Sequence, residues 1–171
     1  MIRPLLPVLL LISGCGAMVP GTAARLSGLS PLTADPEGMA IAVDLPEGLG
    51  LLPDSAVLSF SVRRDGEEAA REVILTGSAA EGYSIADADL GPFREVQARA
   101  REWKAADPDG TSGSLSLTFA PCLSGELAPG ARVAARIRLA EHGAFLPLMR
   151  PQRVTDFAEA LDLETIPPCG D

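Results

Sequence analysis

The sequence predicts a mainly β protein, organised as an antiparallel β-sandwich of immunoglobulin-like or similar type with one inserted α-helix. Apolar and polar residues alternate along several short segments, a period typical of strands with one buried and one solvated face. One longer segment instead repeats apolar residues every three or four positions, which is the period of an amphipathic helix. An α+β arrangement, with one sheet covered by that helix, is the alternative that the same patterns allow.

Four strands are predicted before the helix. Around Leu58–Val62, apolar residues alternate with polar ones, and Asp65-Gly66 then supplies the residue types that a tight hairpin turn requires. The segment from Gly48 to Pro53 is predicted to be a turn-rich connection. The strands are expected at Met39–Val43, around Leu58–Val62, at Arg71–Thr76 and, as a short one, at Tyr83–Ala86.

The helix is predicted over residues 89–106. Asp89 is a suitable N-cap, Pro92 is tolerated in a first turn, and Pro108 to Gly110 would end the helix. The apolar residues would then form one stripe that packs against a sheet. The stripe consists of Leu90, Phe93, Val96, Ala100 and Trp103.

Three further strands are predicted after the helix. The clearest alternation lies at residues 114–119 and a second one at residues 132–139, each with one apolar and one polar face. Residues 145–149 are predicted to be a last edge strand, interrupted by Pro147. Asp156 to Glu159 has the pattern of a capping box that opens a short helix.

The first fifteen residues have the pattern of an export signal. Arg3 precedes an apolar run from Leu5 to Ile12 that is too short to span a bilayer and ends in Ser13-Gly14-Cys15. A cysteine directly after small residues at the end of such a run resembles the lipobox of bacterial lipoproteins. The resemblance implies cleavage before Cys15 and acylation of that cysteine, which would anchor the protein in a membrane.

The chain is therefore expected to have three parts. Residues 1–14 would be the lipoprotein signal peptide, residues 15–37 the lipidated cysteine with a flexible tether, and residues 38–171 a single β-rich periplasmic domain. Gly16 follows the cysteine, whereas an aspartate at that position retains lipoproteins of enteric bacteria in the inner membrane. The resemblance thus implies a lipid-anchored protein of the cell envelope, at the outer membrane and facing the periplasm.

Cysteine usage agrees with an exported protein. If Cys15 carries lipid, Cys122 and Cys169 remain as an even pair in an oxidising compartment, and we expect them to form a disulfide. The alternative is two buried thiols. A metal site is less consistent with the sequence, because the chain contains only one histidine.

Composition excludes one class of partner. The formal net charge is −9, and binding to nucleic acid depends on a basic surface that neutralises phosphates. The sequence therefore predicts no nucleic-acid partner. The basic residues are also strongly biased, with Lys104 as the only lysine beside thirteen arginines.

Catalytic and metal-binding motifs are not found in the sequence. His142 lies in a predicted turn between strands, and no Gly-x-Ser-x-Gly or phosphate-binding glycine motif occurs. The segment from Asp107 to Thr111 partly resembles a calcium loop but lacks its remaining ligands, so we interpret it as the turn that ends the helix. We expect no catalytic, cofactor-binding or metal-binding residues and no cofactor.

One surface is a candidate for binding. Two polar strand faces could present cations to a partner that carries carboxylates, such as peptidoglycan or an acidic envelope protein. Solvated sheet surface is the simpler interpretation of the same pattern. The faces are formed by Ser114, Ser116 and Thr118 and by Arg132, Arg136 and Arg138.

Together these observations favour a non-enzymatic, lipid-anchored envelope lipoprotein that acts as a structural, assembly or binding module. The alternative is a periplasmic enzyme, or a ligand- or metal-binding protein, whose site is built from carboxylates and is not visible as a motif.

The lipobox generates the first prediction. Because Cys15 is expected to carry lipid, mass spectrometry of the membrane fraction should find a diacylglyceryl group on Cys15 at the mature N-terminus. A Cys15→Ser variant should leave the membrane fraction. A soluble wild-type protein, or a Cys15→Ser protein that stays with membranes, would contradict this assignment.

Overall fold

The computed structural model describes residues 34–138, 140, 142–157 and 166–170, and the elements named below all lie within these ranges. The predicted signal peptide, Cys15 and most of the tether lie outside the described residues. The elements are β1 (Ala40–Asp44), β2 (Leu49–Leu51), β3 (Val57–Arg64), β4 (Glu67–Ser78), β5 (Gly82–Ile85), α1 (Asp87–Ala106), β6 (Ser112–Thr118), β7 (Pro121–Leu123), β8 (Arg132–Arg138), β9 (Leu146–Arg153) and a 3₁₀ helix (Val154–Phe157).

The described strands form one large and one small antiparallel sheet. Seven strands pair in the order β6-β3-β4-β5-β1-β8-β9, and β2 pairs with β7. The prediction of a mainly β fold with one helix is confirmed. A β-sandwich is not confirmed, because the large sheet curls into a half-barrel and its only sheet companion is two-stranded.

The centre of the large sheet is the β3–β4 hairpin. Asp65 and Gly66 have φ angles of 52° and 83°, so both adopt the left-handed conformation that a tight hairpin turn with the right twist needs. Arg64 pairs with Glu67 across this turn. β4 is longer than predicted because its first residues are held by pairing with β3, although their sequence shows no clear alternation.

The main core lies between this hairpin and α1. The β3 side chains Leu58, Phe60 and Val62 are buried, and the ring centres of Phe60 and Phe93 are 5.7 Å apart. Fully burying a side chain of this size contributes about 1.5–3 kcal/mol, which is a large share of the roughly 5–15 kcal/mol by which a domain is stable. The core cluster also contains Ala56, Val73, Leu75, Ile85, Leu90, Ala100 and Trp103.

The predicted helix is confirmed, but its start is not the predicted one. The helix begins at Asp87, and its N-cap is Ala86, which provides no side-chain hydrogen bond. Asp89 is therefore not the N-cap. Its carboxylate instead accepts a hydrogen bond of 2.7 Å from the guanidinium of Arg71 on β4. This contact is between residues 18 apart in sequence, which local pattern analysis does not detect.

The predicted connection from Gly48 to Pro53 is wrong in its centre, because residues 49–51 form β2. The pairing of β2 with β7 places Gly50 opposite Cys122. A three-residue strand has no alternation to detect, and this one exists through a partner some seventy residues away.

The expected disulfide between Cys122 and Cys169 is confirmed, with Cα atoms 4.8 Å apart. Backbone hydrogen bonds also hold the tail, since the N–H of Leu123 donates to Pro167 and the N–H of Cys169 donates to Leu123, both at 2.8 Å. Closing a loop of this length stabilises a fold by roughly 4 kcal/mol in the chain-entropy model.

The last edge strand is confirmed as β9, which runs to Arg153 despite Pro147 and Pro151. Residues 154–157, which follow it directly, form the 3₁₀ helix, and the backbone N–H of Arg153 donates to the carboxylate of Asp156. Glu159, the last residue of the predicted capping box, lies outside the described residues.

The disulfide makes a specific demand on Gly50. A Cβ atom at this position would lie 2.8 Å from Sγ of Cys169 and 3.1 Å from Sγ of Cys122. Gly50→Ala should therefore lower the free energy of unfolding by about 1–3 kcal/mol in urea titrations, which is typical of overpacking. In a Cys122→Ala/Cys169→Ala background the same substitution should have a much smaller effect.

Gly170 provides the control. It follows Cys169 and is exposed, and apart from its chain neighbours a Cβ there would meet nothing within 4 Å. Gly170→Ala should change the free energy of unfolding by less than about 0.5 kcal/mol, as exposed substitutions usually do. Equal effects of Gly50→Ala with and without the disulfide would contradict the proposed steric conflict between a Cβ at residue 50 and the two sulfur atoms.

Candidate functional site

An open groove of about 550 Å³ lies between α1 and the start of β4. We call it the α1 groove. Its walls combine apolar, acidic and basic side chains. The lining residues are Glu67, Glu68, Ala69, Glu95, Val96, Arg99 and Trp103.

One flank of the helix forms one wall of the groove. Glu95, Arg99 and Trp103 follow at intervals of four residues, so their side chains lie above one another along α1. The other wall is the beginning of β4, which the tight turn at Asp65-Gly66 brings back beside the helix. The groove thus depends on the hairpin and the helix packing together.

Trp103 lies at the inner end of the groove, with 4% of its surface exposed. The guanidinium carbons of Arg64 and Arg99 lie 5.4 and 5.8 Å from its ring centre, within the range of cation–π attraction. Nε of Arg64 is buried without a hydrogen-bond partner and lies 3.7 Å from the Asp65 carboxylate. Arg64 and Arg99 therefore cover the Trp103 ring, and their guanidinium groups lie at the boundary of the hydrophobic core.

The rim of the groove is acidic. Within the part of the chain that the structure describes, neither Glu67 nor Glu95 forms an ion pair, whereas Glu68 pairs with Arg63 at 3.0 Å. All three glutamates are exposed. Exposed carboxylates beside the half-buried side chains of Ala69 and Val96 can bind a cationic group together with an apolar one.

The leading segment, residues 34–39, lies on the opposite flank of α1. Arg94 donates hydrogen bonds of 2.9 Å to Asp35 and 2.8 Å to Glu37, and Nε2 of Gln97 donates to the carbonyl of Ala34 at 3.0 Å. The hydrogen bond from Arg94 lowers the pKa of Asp35, and the backbone N–H of Glu37 lowers it further. The last residues of the predicted tether are therefore fixed to the helix, on the side away from the groove.

The segment from Asp107 to Thr111 is a helix-terminating turn, as interpreted from the sequence. The carboxylate of Asp107 accepts the backbone N–H of Gly110 at 2.9 Å, and the hydroxyl of Thr111 donates to the carbonyl of Trp103 at 3.0 Å. The Lys104 ammonium donates to the carbonyls of Pro108 and Thr111, so a charged side chain of the protein occupies these oxygens. Among the described residues, no group of three or more His, Cys, Asp or Glu side chains is placed to hold a metal ion.

The expected arginine surface is not assembled as the sequence suggested. β6 is one edge of the large sheet and β8 is next to the other edge, so Ser114, Ser116 and Thr118 are not neighbours of the β8 arginines. The pairing of distant strands decides this, and the alternation within each strand carries no information about it. His142 lies in the turn between β8 and β9 and is exposed, as predicted.

The β8 arginines are also engaged within the protein. Arg136 forms a bidentate pair with Asp44, with atoms as close as 2.7 Å, and this contact raises the pKa of Arg136. Arg136 and Arg138 both lie over the ring of Phe145, at 5.4 and 5.5 Å. Gly82 leaves room for that ring, since a Cβ there would lie 2.9 Å from Phe145.

Sequence analysis did not identify the α1 groove. The helical period assigns Trp103 to the core stripe, and its burial confirms this. The long-range packing of α1 on β4 in addition places Trp103 beside Glu67 and Glu68 around one concavity. The one available signal was that Val96 and Trp103 lie at one margin of the apolar stripe, next to charged positions.

No helix among the described residues is long and apolar enough to cross a membrane. No protein-family model, curated protein or solved structure matches the chain. The functional argument therefore depends on the geometry and chemistry of the groove.

Proposed function

We propose that this protein is a non-enzymatic, lipid-anchored protein of the cell envelope whose domain binds a partner protein in the α1 groove. The anchor would be Cys15, at the outer membrane and facing the periplasm, as the lipobox resemblance implies. The observation that carries the binding role is the groove itself, with two unpaired glutamates at its rim and a covered tryptophan at its inner end.

The chemistry of the groove favours a partner that presents lysine or arginine in an extended segment. Glu67 and Glu95 would attract the cations, and Ala69 and Val96 would contact the aliphatic parts of the same side chains. Peptidoglycan or an acidic protein is less well supported, because Arg136 and Arg138, which could bind carboxylates, are engaged with Asp44 and Phe145.

The position of the leading segment supports the same role. Arg94 and Gln97 hold this segment on the flank of α1 opposite the groove. An anchor attached through this segment would leave the groove accessible to a neighbour in the envelope. Attachment would then use one flank of α1 and recognition the other, so both would be held by the same rigid helix.

A second candidate is an enzyme that uses carboxylates. The observation in its favour is that Glu67, Glu68 and Glu95 line one concavity. Against it, all three side chains are exposed, whereas a general acid is usually held in an environment that shifts its protonation. The sequence also contains no nucleophile motif beside them.

A charge-reversal experiment tests the binding role. Glu67→Lys/Glu95→Lys should lose at least tenfold of the partner recovered by crosslinking in intact envelopes, because the added lysines repel a cationic segment. Glu47→Lys/Glu81→Lys, which makes the same change in net charge at exposed turns outside the groove, should recover as much partner as the wild type.

Equal recovery with both double variants would contradict a role for the groove. A hydrolase screen separates the second candidate. Turnover that is abolished by Glu95→Gln in a folded protein would replace the binding role with a carboxylate-based enzyme.

A further inference from the structure

The large sheet has one unprotected edge. Within residues 34–138, 140, 142–157 and 166–170, β6 pairs with β3 on one side and with no strand on the other. An open edge presents a row of unpaired backbone N–H and C=O groups that can accept another strand. Six of the seven β6 residues are exposed, so these groups are accessible in the described part of the chain.

The opposite edge of the sheet, β9, has features that prevent pairing with a further strand. β9 contains Pro147 and Pro151, and the register between β8 and β9 shifts at two points. Proline removes a backbone donor, and bulges twist an edge away from a flat partner. β6, with the sequence Ser-Gly-Ser-Leu-Ser-Leu-Thr, has neither proline nor charge.

The apolar side of β6 is covered only in part. Leu115 pairs with Phe60 and Leu117 with Leu58, so both leucines lie on the face of the sheet that carries the core. Leu117 packs against the core, but α1 packs on β3 and β4 and Leu115 is left 40% exposed. An added strand with apolar residues would extend the core over Leu115.

We propose that two copies of this chain associate through β6, antiparallel, about a two-fold axis at Leu115. Leu115 is the middle residue of β6, so the axis places Leu115 opposite Leu115 and Gly113 opposite Leu117 on the core face. On the outer face Ser114 lies opposite Ser116, and Ser112 opposite Thr118. The strand is thus complementary to itself, as an isologous interface requires.

The side chains favour a second copy over a different strand. Gly113 leaves space for Leu117 of the other copy, Ser–Ser and Ser–Thr pairs can exchange hydrogen bonds, and no like charges oppose each other. An edge strand that recognises a different protein usually carries charged or bulky side chains that give specificity for it. β6 has no charged residue that could do so. The proposal does not depend on the α1 groove, because β6 and β4 lie on opposite sides of β3.

The interface would be small, and the net charge of −9 on each chain opposes association. The dimer should therefore be weak and should strengthen as salt screens this repulsion.

Cysteine crosslinking in the full chain tests the geometry. Leu115→Cys should form a disulfide-linked dimer on a non-reducing gel, because residues directly opposite each other in antiparallel strands have Cα atoms about 4.5–5.5 Å apart. Ser112→Cys should not crosslink to itself, because about 20 Å of strand would separate the two copies of residue 112. Crosslinking of Ser112→Cys alone, or of neither variant, would overturn the proposed register.

Paired charge variants test the association without a covalent bond. Ser114→Glu/Ser116→Glu places Glu opposite Glu in both outer pairs and should raise the dimer dissociation constant at least tenfold in sedimentation experiments. Ser114→Lys/Ser116→Glu places Lys opposite Glu and should dimerise at least as well as the wild type. Circular dichroism checks that both variants are folded.

The remaining outcomes decide against the proposal. A wild-type chain that stays monomeric at all concentrations and salt levels would overturn it. So would equal dissociation constants for the two double variants, or crosslinking of Leu115→Cys to a different protein.

Discussion

The packing of α1 on the β3–β4 hairpin is the interaction on which the rest of the structure depends. Among the described residues no second large sheet covers the first one, so the helix provides the other layer of the core. Phe93, which lies against Phe60, and the buried Trp103 belong to that contact. One flank of the same helix fixes the leading segment through Arg94, and the other flank forms the α1 groove. The attachment and the recognition that we propose would therefore share one rigid support.

The arginines mainly hold elements together. Arg71 connects β4 to the start of α1 through Asp89, and Arg136 connects β8 to β1 through Asp44. Arg94 performs the same function for the leading segment, where Glu37 and Asp35 raise its pKa. Such exposed or half-exposed pairs contribute little free energy individually, but they fix the relative positions of the elements. Glu67 and Glu95 at the groove take part in none of the ion pairs found among the described residues.

The sequence predicted the local structure well because alternation and helical period are properties of neighbouring residues. β3, β6, β8 and α1 are found where expected, and the disulfide followed from counting cysteines. The short pair β2 and β7, the order of strands and the role of Asp89 could not be predicted, because each depends on partners distant in sequence. The α1 groove was missed for the same reason, and the arginine surface was wrong because β6 and β8 lie near opposite edges.

The most direct test of the central role of α1 is urea unfolding followed by two signals at once. Trp103 is the only tryptophan in the chain, so its fluorescence reports the helix–sheet core, while the backbone amide NMR signals of β1, β8 and β9 report the sheet. If the sheet depends on the helix, the two transitions should coincide with one midpoint and one slope, as in cooperative two-state unfolding. A sheet signal that persists after Trp103 has become exposed would contradict this account.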